Sequence, residues 1–185
     1  MNRLTFVQHR RKREGKTNYK KRLTLLKSRK PRLVIRKTNK SIIAQVVEYL
    51  PSGDHIICGI NSGCLRKEGW QYSTKNIPAC YLTGIMLAKK LKEKPAKKEK
   101  GEEQELILDI GLQTSVKGSR IYAVVKGMID NNVTVLCAAE VFPNPERIQG
   151  KHILTYHSTN KEQHSTKDMN AFESTFNQIL KKFTA

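Results

Sequence analysis

The sequence predicts an α/β protein with a mixed five-stranded sheet, made of an antiparallel meander plus parallel strands, and with helices on both faces. Three observations carry this prediction. Short runs of β-branched residues follow one another across tight turns between residues 32 and 60. A helical pattern then precedes a further apolar run, which predicts a parallel crossover. Lysine and arginine crowd the first forty of the 185 residues, so a basic N-terminal extension precedes the sheet.

Three consecutive runs rich in β-branched residues predict the first three strands. They lie at about residues 32–38, 42–49 and 56–60. The polar break Asn39-Lys40-Ser41 and the turn signal Pro51-Ser52-Gly53-Asp54 separate them. Strands joined this tightly form an antiparallel meander.

A helix and a buried strand are expected after the meander. Asn76 can cap the helix, Pro78 suits its first turn, and Pro95 ends its apolar pattern. Residues 92–105 mix lysine and glutamate, which predicts an exposed and mobile connection. The continuous apolar run at residues 106–110 is typical of a strand buried on both faces. The helical crossover before it predicts parallel pairing with a strand of the meander.

The remaining part of the chain predicts two further helices and one more strand. Ser119 is the expected cap of a helix that ends at Asn131-Asn132, although residues 121–125 would also suit a strand. The other expectations are a fifth strand at residues 133–138, a loop at 143–145, a mixed segment at 147–156 and an amphipathic helix at 169–183.

The positive charge is concentrated in one segment. Residues 1–40 contain sixteen lysines and arginines and a single acid, Glu14, so they carry +15 of the net charge of +19. So local an excess predicts a polyanionic partner. Repulsion between the cations should keep the free segment extended or only partly helical until a polyanion neutralises it. A nuclear-localisation signal, a patch for anionic membranes and a solvated tail are the alternatives.

Cysteine usage and hydropathy indicate an intracellular protein. The four cysteines form no Cys-x-x-Cys pair, and Cys58 and Cys80 have mainly apolar neighbours, as buried thiols do. No stretch approaches the roughly 20 apolar residues of a membrane span, and the N-terminus has charges where a secretory signal needs an apolar core. We therefore expect a soluble protein in a reducing cytoplasm.

Two kinds of metal site compete with nucleic-acid binding. A nuclease centre would draw on Asp54, Asp109, Asp130 and Glu140, and a zinc site on Cys58, Cys64, Cys80, His55, His152 and His157. Asp109 lies inside an apolar run and could instead accept backbone hydrogen bonds from the following Gly-rich loop. The cysteine spacings suit no close-paired zinc knuckle, and neither a Gly-x-Ser-x-Gly elbow nor a phosphate loop is present. We expect no enzyme, no metal and no cofactor.

A series of short motifs resembles a known family. The motifs are residues 17–28 (TNYKKRLTLLKS), 30–34 (KPRLV), 36–40 (RKTNK), 81–84 (YLTG), 108–112 (LDIGL), 118–122 (GSRIY), Pro143-Asn144 with Arg147-Ile148, and 150–153 (GKHI). In this order they closely resemble the universal 5S-rRNA-binding protein of the large ribosomal subunit, called L eighteen in archaea and bacteria and L five in eukaryotes. The resemblance covers about residues 8–155, and the tail beyond His152 looks most like the archaeal branch. Asn18 stands where that family has aspartate.

The resemblance implies a structural constituent of the large ribosomal subunit with a ribonuclease-H-like sheet, bound to the ribosome in the cytoplasm. Its implied partners in the central protuberance are 5S rRNA, the large-subunit rRNA and neighbouring ribosomal proteins, with no membrane and no small-molecule substrate. An RNA-binding protein outside the ribosome is the alternative, and a metal-dependent nuclease is a remoter one.

RNA is expected to contact the basic extension, the first hairpin and a short motif near residue 150. The expected contact residues are Arg10, Arg11, Lys12, Arg13, Lys16, Thr17, Tyr19, Lys20, Arg22, Lys27, Lys30, Arg32, Arg36, Lys37, Asn39, Lys40, Arg147, Lys151 and His152. The cations would follow the phosphate backbone, and Tyr19 offers an aromatic face for stacking. The expected segments are a basic extension at 1–31, an α/β domain at 32–155, and a C-terminal extension at 156–185 with an amphipathic helix.

Overall fold

A mixed five-stranded sheet forms the centre of the molecule. The computed structural model of the chain describes residues 7–93, 105–159 and 171–184. The strands are β1 (Arg32–Lys37), β2 (Ile42–Leu50), β3 (Gly53–Asn61), β4 (Leu106–Asp109) and β5 (Val135–Leu136), in the order β3-β2-β1-β4-β5. The first three pair antiparallel, whereas β4 pairs parallel with β1 and β5 parallel with β4. The predicted meander with a parallel crossover is confirmed, while the ribonuclease-H-like classification stays a prediction.

Seven α-helices are present in the described residues. They are α1 (Arg10–Arg13), α2 (Tyr19–Lys27), α3 (Ile77–Glu93), α4 (Arg120–Asp130), α5 (Pro145–Gln149), α6 (Lys151–Thr159) and α7 (Phe172–Thr184). Helices α3 and α4 pack against each other and against one face of the sheet. Within the described ranges no helix combines the length and the apolar composition that crossing a membrane requires.

The alternation of β1 explains why one face of the sheet is the core and the other carries charge. Leu33 and Ile35 are fully buried in the main core cluster. Because successive side chains of a strand point to opposite faces, Arg32 and Arg36 lie on the other face. The parallel register pairs Val34 with Asp109, which places this acid on the same charged face.

Both core helices begin and end near the predicted residues. The Asn76 side chain accepts a hydrogen bond from the Ala79 amide at 2.9 Å, so the predicted cap of α3 is confirmed. Helix α4 ends at Asn131-Asn132, and Asn132 has a left-handed φ of 56°. Ser119 does precede α4, but its hydroxyl makes no capping hydrogen bond. Ser119 therefore occupies the predicted N-cap position of α4, but without a capping hydrogen bond from its side chain.

Two glycines allow α3 and α4 to pack with their backbones nearly touching. A Cβ atom at Gly84 would overlap the Val124 carbonyl oxygen and would lie 3.2 Å from the Gly127 Cα atom. A Cβ atom at Gly127 would likewise overlap the Tyr81 carbonyl oxygen. Since these neighbours are helix backbone, they cannot move aside as a side chain can. The contact therefore requires glycine on both helices.

We expect Gly84→Ala to destabilise the protein. Alanine is favoured over glycine inside a helix by about 1 kcal/mol, but overpacking costs about 1 to 3 kcal/mol and more when backbone must move. The expected net effect is a fall in the thermal unfolding midpoint of several degrees, measured by circular dichroism. Gly63→Ala is the control, because the nearest atom to its Cβ would be a side-chain oxygen of Asn61 at 3.3 Å and not helix backbone. Equal midpoints for both variants would contradict the backbone contact.

The last strand and the segment after it differ from the prediction. β5 contains only Val135 and Leu136, rather than residues 133–138, because it pairs with β4 alone and Leu136 is half exposed at the edge. The expected mixed segment instead forms α5 and α6. Pro145 suits the first turn of α5, and Gly150, with a φ of 87°, ends it and allows α6 to start in a new direction.

The amphipathic helix near the C-terminus is confirmed as α7. Its buried residues Phe172, Phe176 and Ile179 belong to the main core cluster, and α7 contacts α3. The Phe172 ring packs against Trp70 and Tyr72, with ring centroids 5.3 and 4.7 Å away. Most of the predicted mobile connection at residues 92–105 lies outside the described residues.

Candidate nucleic-acid interface

The basic segment before the sheet, residues 7–31 (the arm), is partly helical. Helix α2 begins where the Asn18 side chain accepts a hydrogen bond from the Lys21 amide at 3.1 Å. An amide oxygen fills this capping role as a carboxylate oxygen would, so asparagine preserves the start of the helix. Just before it, Arg11 Nε donates to Thr17 Oγ1 at 2.9 Å. Neither α1 nor α2 buries a residue, and both helices of the arm therefore lie on the surface.

Alternating charges connect the arm to the charged face of the sheet. Arg22 of α2 donates to both carboxylate oxygens of Asp54, at 2.8 and 2.9 Å. Asp54 also lies 3.0 Å from Arg32 Nη2, and Arg32 Nη1 donates to Asp109 at 3.1 Å. Asp109 then accepts from Arg36 Nη2 at 3.0 Å. These five residues, three cations and two anions, form the ion-pair chain that fixes the position of α2.

The middle of the ion-pair chain is buried. Arg32 is 1% exposed and Asp109 is 6% exposed. A buried guanidinium is costly unless opposite charges surround it, and Asp54 and Asp109 supply them from two sides. Asp109 also accepts a hydrogen bond from the Gly111 amide at 2.8 Å, as expected from the Gly-rich loop that follows it. Lys21 of α2 reaches the same loop, donating to the Gly111 carbonyl oxygen at 3.2 Å.

Both acids of the ion-pair chain are held in the ionised form. Burial by itself raises the pKa of Asp54, but hydrogen bonds and charge from Arg22 and Arg32 outweigh it, so the net pKa is lowered. Burial likewise raises the pKa of Asp109, and Arg36, the Gly111 amide and Arg32 together bring it below its ordinary value. The chain of ion pairs is therefore intact at neutral pH.

The residues predicted to contact RNA differ in how far they are exposed to solvent. Exposed residues are Arg10, Arg11, Lys12, Arg13, Lys16, Lys20, Lys27 and Lys30 in the arm, Lys37, Asn39 and Lys40 at the β1–β2 turn, and Arg147, Lys151 and His152 in α5 and α6. Half-buried residues are Thr17, Tyr19, Arg22 and Arg36. Arg32 alone in this set is fully buried, so this structure leaves it no free surface for RNA.

A cavity of about 670 Å³ lies between the arm and the domain. Its lining includes Arg11, Lys16 and Arg36 as well as the ring of Tyr19. The Tyr19 ring lies 5.2 Å from the ring of His9, measured between centroids. Cations beside an aromatic face can hold a phosphate and an unpaired base together. The cavity lining therefore combines cations with an aromatic side chain, beside the two acids of the ion-pair chain.

The side chains considered for metal binding are occupied otherwise or lie apart. Asp130 pairs with Lys126 at 2.7 Å and accepts a hydrogen bond from Tyr81 at 2.9 Å. Cys58 and Cys80 are buried, as predicted, and burial raises the pKa of the Cys80 thiol to about 12. In the part of the chain that the structure describes, no three histidine, cysteine or acidic side chains converge.

The role of Asp54 and Asp109 in holding the arm was not predicted. From the sequence, both acids were interpreted only as possible metal ligands or, for Asp109, as an acceptor for backbone amides. One signal was present, because Arg32 directly precedes the apolar run of the predicted first strand, where an unpaired buried cation would be unfavourable. Its partner Asp109 is 77 residues away, and only the strand register brings the two together.

An α/β domain with a cationic arm, whose exposed cations include Lys20 and Lys27 on an anchored surface helix, is the arrangement of a nucleic-acid-binding protein. Comparison with known proteins identifies the family within this class. The profile of the family "Ribosomal large subunit proteins 60S L5, and 50S L18" matches residues 5–106. The chain is also 46% identical over 159 residues to the large ribosomal subunit protein uL18 of Korarchaeum cryptofilum (strain OPF8), covering 86% of this chain and 78% of that protein. The chain belongs to this L5 and L18 family and is a structural constituent of the large ribosomal subunit.

Proposed function

We propose that this ribosomal protein binds 5S rRNA through its arm and the β1–β2 turn, and helps attach it to the large-subunit rRNA in the central protuberance. The observation that carries the proposal is the anchored position of α2. Arg22 and Lys21 fix the helix to the domain, while Lys20 and Lys27 stay exposed. A cationic surface that is already positioned loses less conformational entropy when it binds a polyanion.

Within this proposal the cations divide into two roles. The exposed lysines and arginines of the arm neutralise phosphates, which supplies affinity with little dependence on base sequence. Arg32 and Arg22 are positioning residues, because each is engaged by Asp54. Tyr19 provides stacking for an unpaired base beside these phosphate contacts.

The proposed role is structural and not catalytic, and the proposed location is the cytoplasmic ribosome. The division into an extension at 1–31, a domain at 32–155 and a C-terminal extension at 156–185 belongs to the same proposal. Helix α7 of the third segment packs on α3 of the second, which ties the C-terminal extension to the domain.

The proposal is tested by competition between RNAs. The full-length protein should retain 5S rRNA on a filter at about 0.15 M salt in the presence of excess arbitrary duplex RNA, and it should co-sediment with large subunits. Positioned contacts predict a preference for 5S rRNA, since non-specific phosphate binding weakens steeply with salt. Equal competition by arbitrary duplex RNA would instead indicate a general RNA-binding protein.

A further inference from the structure

A second cleft, of about 780 Å³, opens at the amino-terminal ends of α3 and α4. Its cationic or ionisable lining residues are Lys37, Lys75, Arg120, Arg147 and His152. None of its lining residues is acidic. None of the five forms an ion pair within the described ranges. The cleft therefore collects positive charge without any internal counter-charge, unlike the arm, where Asp54 and Asp109 balance part of it.

The backbone of the two helices adds to this positive field. The amino termini of α3 (17 residues) and α4 (11 residues) both contribute to the lining, through Ile77 and Ile121, and helix amino termini favour anions. The Ser119 hydroxyl, which does not cap α4, is a buried oxygen with no hydrogen-bond partner in the described residues. It remains available to donate to a bound acceptor.

The surroundings of His152 agree with a site that lacks negative charge. Partial burial lowers the pKa of His152, and the neighbouring Arg147 lowers it further. Both effects disfavour a second positive charge beside Arg147. A bound anion would offset them and favour protonation of the imidazole.

We infer that this cleft is a second phosphate-binding site, which takes the phosphodiester backbone of RNA outside the arm. The inference rests on the proposed RNA-binding function. It assigns Lys75 and Arg120, which sequence analysis did not select, to the same surface as Arg147. It also adds a second RNA-binding region to the folded domain, beside the β1–β2 turn.

Two features favour an RNA backbone over an acidic peptide. Leu112 and Gln113 line both this cleft and the cavity beneath the arm, so the two sites adjoin across one loop and a single polyanion can occupy both. The cleft also lacks phenylalanine, tyrosine and tryptophan, the residues that usually provide stacking for bases. Its contacts should consequently depend on phosphate and little on base identity.

The test compares two triple variants of the full-length protein in 5S rRNA binding at several salt concentrations. The cleft variant is Lys75→Gln/Arg120→Gln/Arg147→Gln. The control variant is Arg66→Gln/Lys67→Gln/Lys181→Gln, which removes the same charge from exposed positions that line neither cavity. Each lost phosphate contact lowers the log–log salt slope by about 0.7 to 0.9. We expect the cleft variant to lose about two units of slope and the control less than one.

The outcomes separate this inference from the proposed function. If the wild-type protein shows no preference for 5S rRNA, the proposed function itself fails. If the wild type binds and the cleft variant matches the control, the cleft inference alone is overturned. If the cleft variant binds RNA normally but fails to enter large subunits, the ligand of the cleft is a protein, and the cleft inference is also overturned. Arg120 is the first residue of α4, so its replacement could disturb that helix. The single variant Lys75→Gln changes an exposed position outside any helix and repeats the comparison. Its log–log salt slope should fall by just under one unit.

Discussion

Removal of residues 1–28 is expected to lower the affinity for 5S rRNA on the order of 10³-fold at about 0.15 M salt. The deletion removes ten lysines and arginines and one acid. It ends after α2, and since neither arm helix buries a residue, the core should still fold. If about 6 to 10 phosphate contacts are lost, the slope of log affinity against log salt should fall by very roughly 4 to 9 units. Filter binding across a salt series measures both quantities, and an unchanged slope would contradict the proposed role of the arm.

A matched pair of substitutions on α2 separates contact from positioning. Lys20 is exposed, whereas both oxygens of Asp54 accept hydrogen bonds from Arg22. Lys20→Gln should therefore lower the salt slope by about 0.7 to 0.9. Arg22→Gln should lower the affinity roughly two- to tenfold, through poorer ordering of the arm, with little change of slope. An equal loss of slope in both variants would show that Arg22 meets a phosphate directly.

Replacing Asp109 by asparagine should produce the largest loss of stability of any single substitution considered for this protein. Asp109 and Arg32 are both buried, and removing one partner of a buried ion pair costs about 3 to 5 kcal/mol because the other charge stays uncompensated. Asp54 compensates only part of it, from a side chain that is 30% exposed. In a protein of this size the thermal midpoint should fall by roughly 10 °C, as measured by circular dichroism. Glu140→Gln is the control, because its ion pair with Lys117 is exposed and should contribute nothing measurable.

A double substitution tests whether the uncompensated charge is the cause. Arg32→Met/Asp109→Leu removes both charges, and such apolar replacements of buried ion pairs are often close to neutral. Arg32 Nε has no hydrogen-bond partner in the described part of the chain. Replacing Arg32 by methionine therefore removes no hydrogen bond at this atom. The double variant should therefore be more stable than Asp109→Asn. A double variant as unstable as the single one would mean that packing and not charge is responsible.

Acid should weaken the wild-type protein more steeply than the Asp109→Asn variant. The folded pKa of Asp109 lies below the unfolded value of about 3.9. Its stabilising contribution is thus complete above that pH and is lost as the pH falls through the lowered folded value. Urea unfolding between pH 5 and pH 2 should show a shallower dependence on pH in the variant. Identical slopes would mean that folding does not lower the pKa of Asp109.

The sheet could be predicted because its signals are local. The meander follows from short turns at residues 38–41 and 51–52, and the parallel strand from the helical crossover before Leu106. The lengths of β5 and α5 could not be predicted, because strand pairing at an edge and the left-handed Gly150 decide them. The ion-pair chain was beyond prediction for a related reason. Arg22 and Asp54 are 32 residues apart, and nothing local indicates that α2 folds back over that turn.

The Phe172 ring lies against Gly150, where a Cβ atom would overlap it. The glycine joins α5, which carries Arg147, to α6, which carries His152. This contact can form only late in synthesis, because Phe172 follows both helices in the chain. The arm is translated first and gains its anchors Asp54 and Asp109 later, whereas the Phe172 contact beside Arg147 and His152 forms last. Under the proposed function, the arm is therefore positioned for RNA before the cleft has its full packing support.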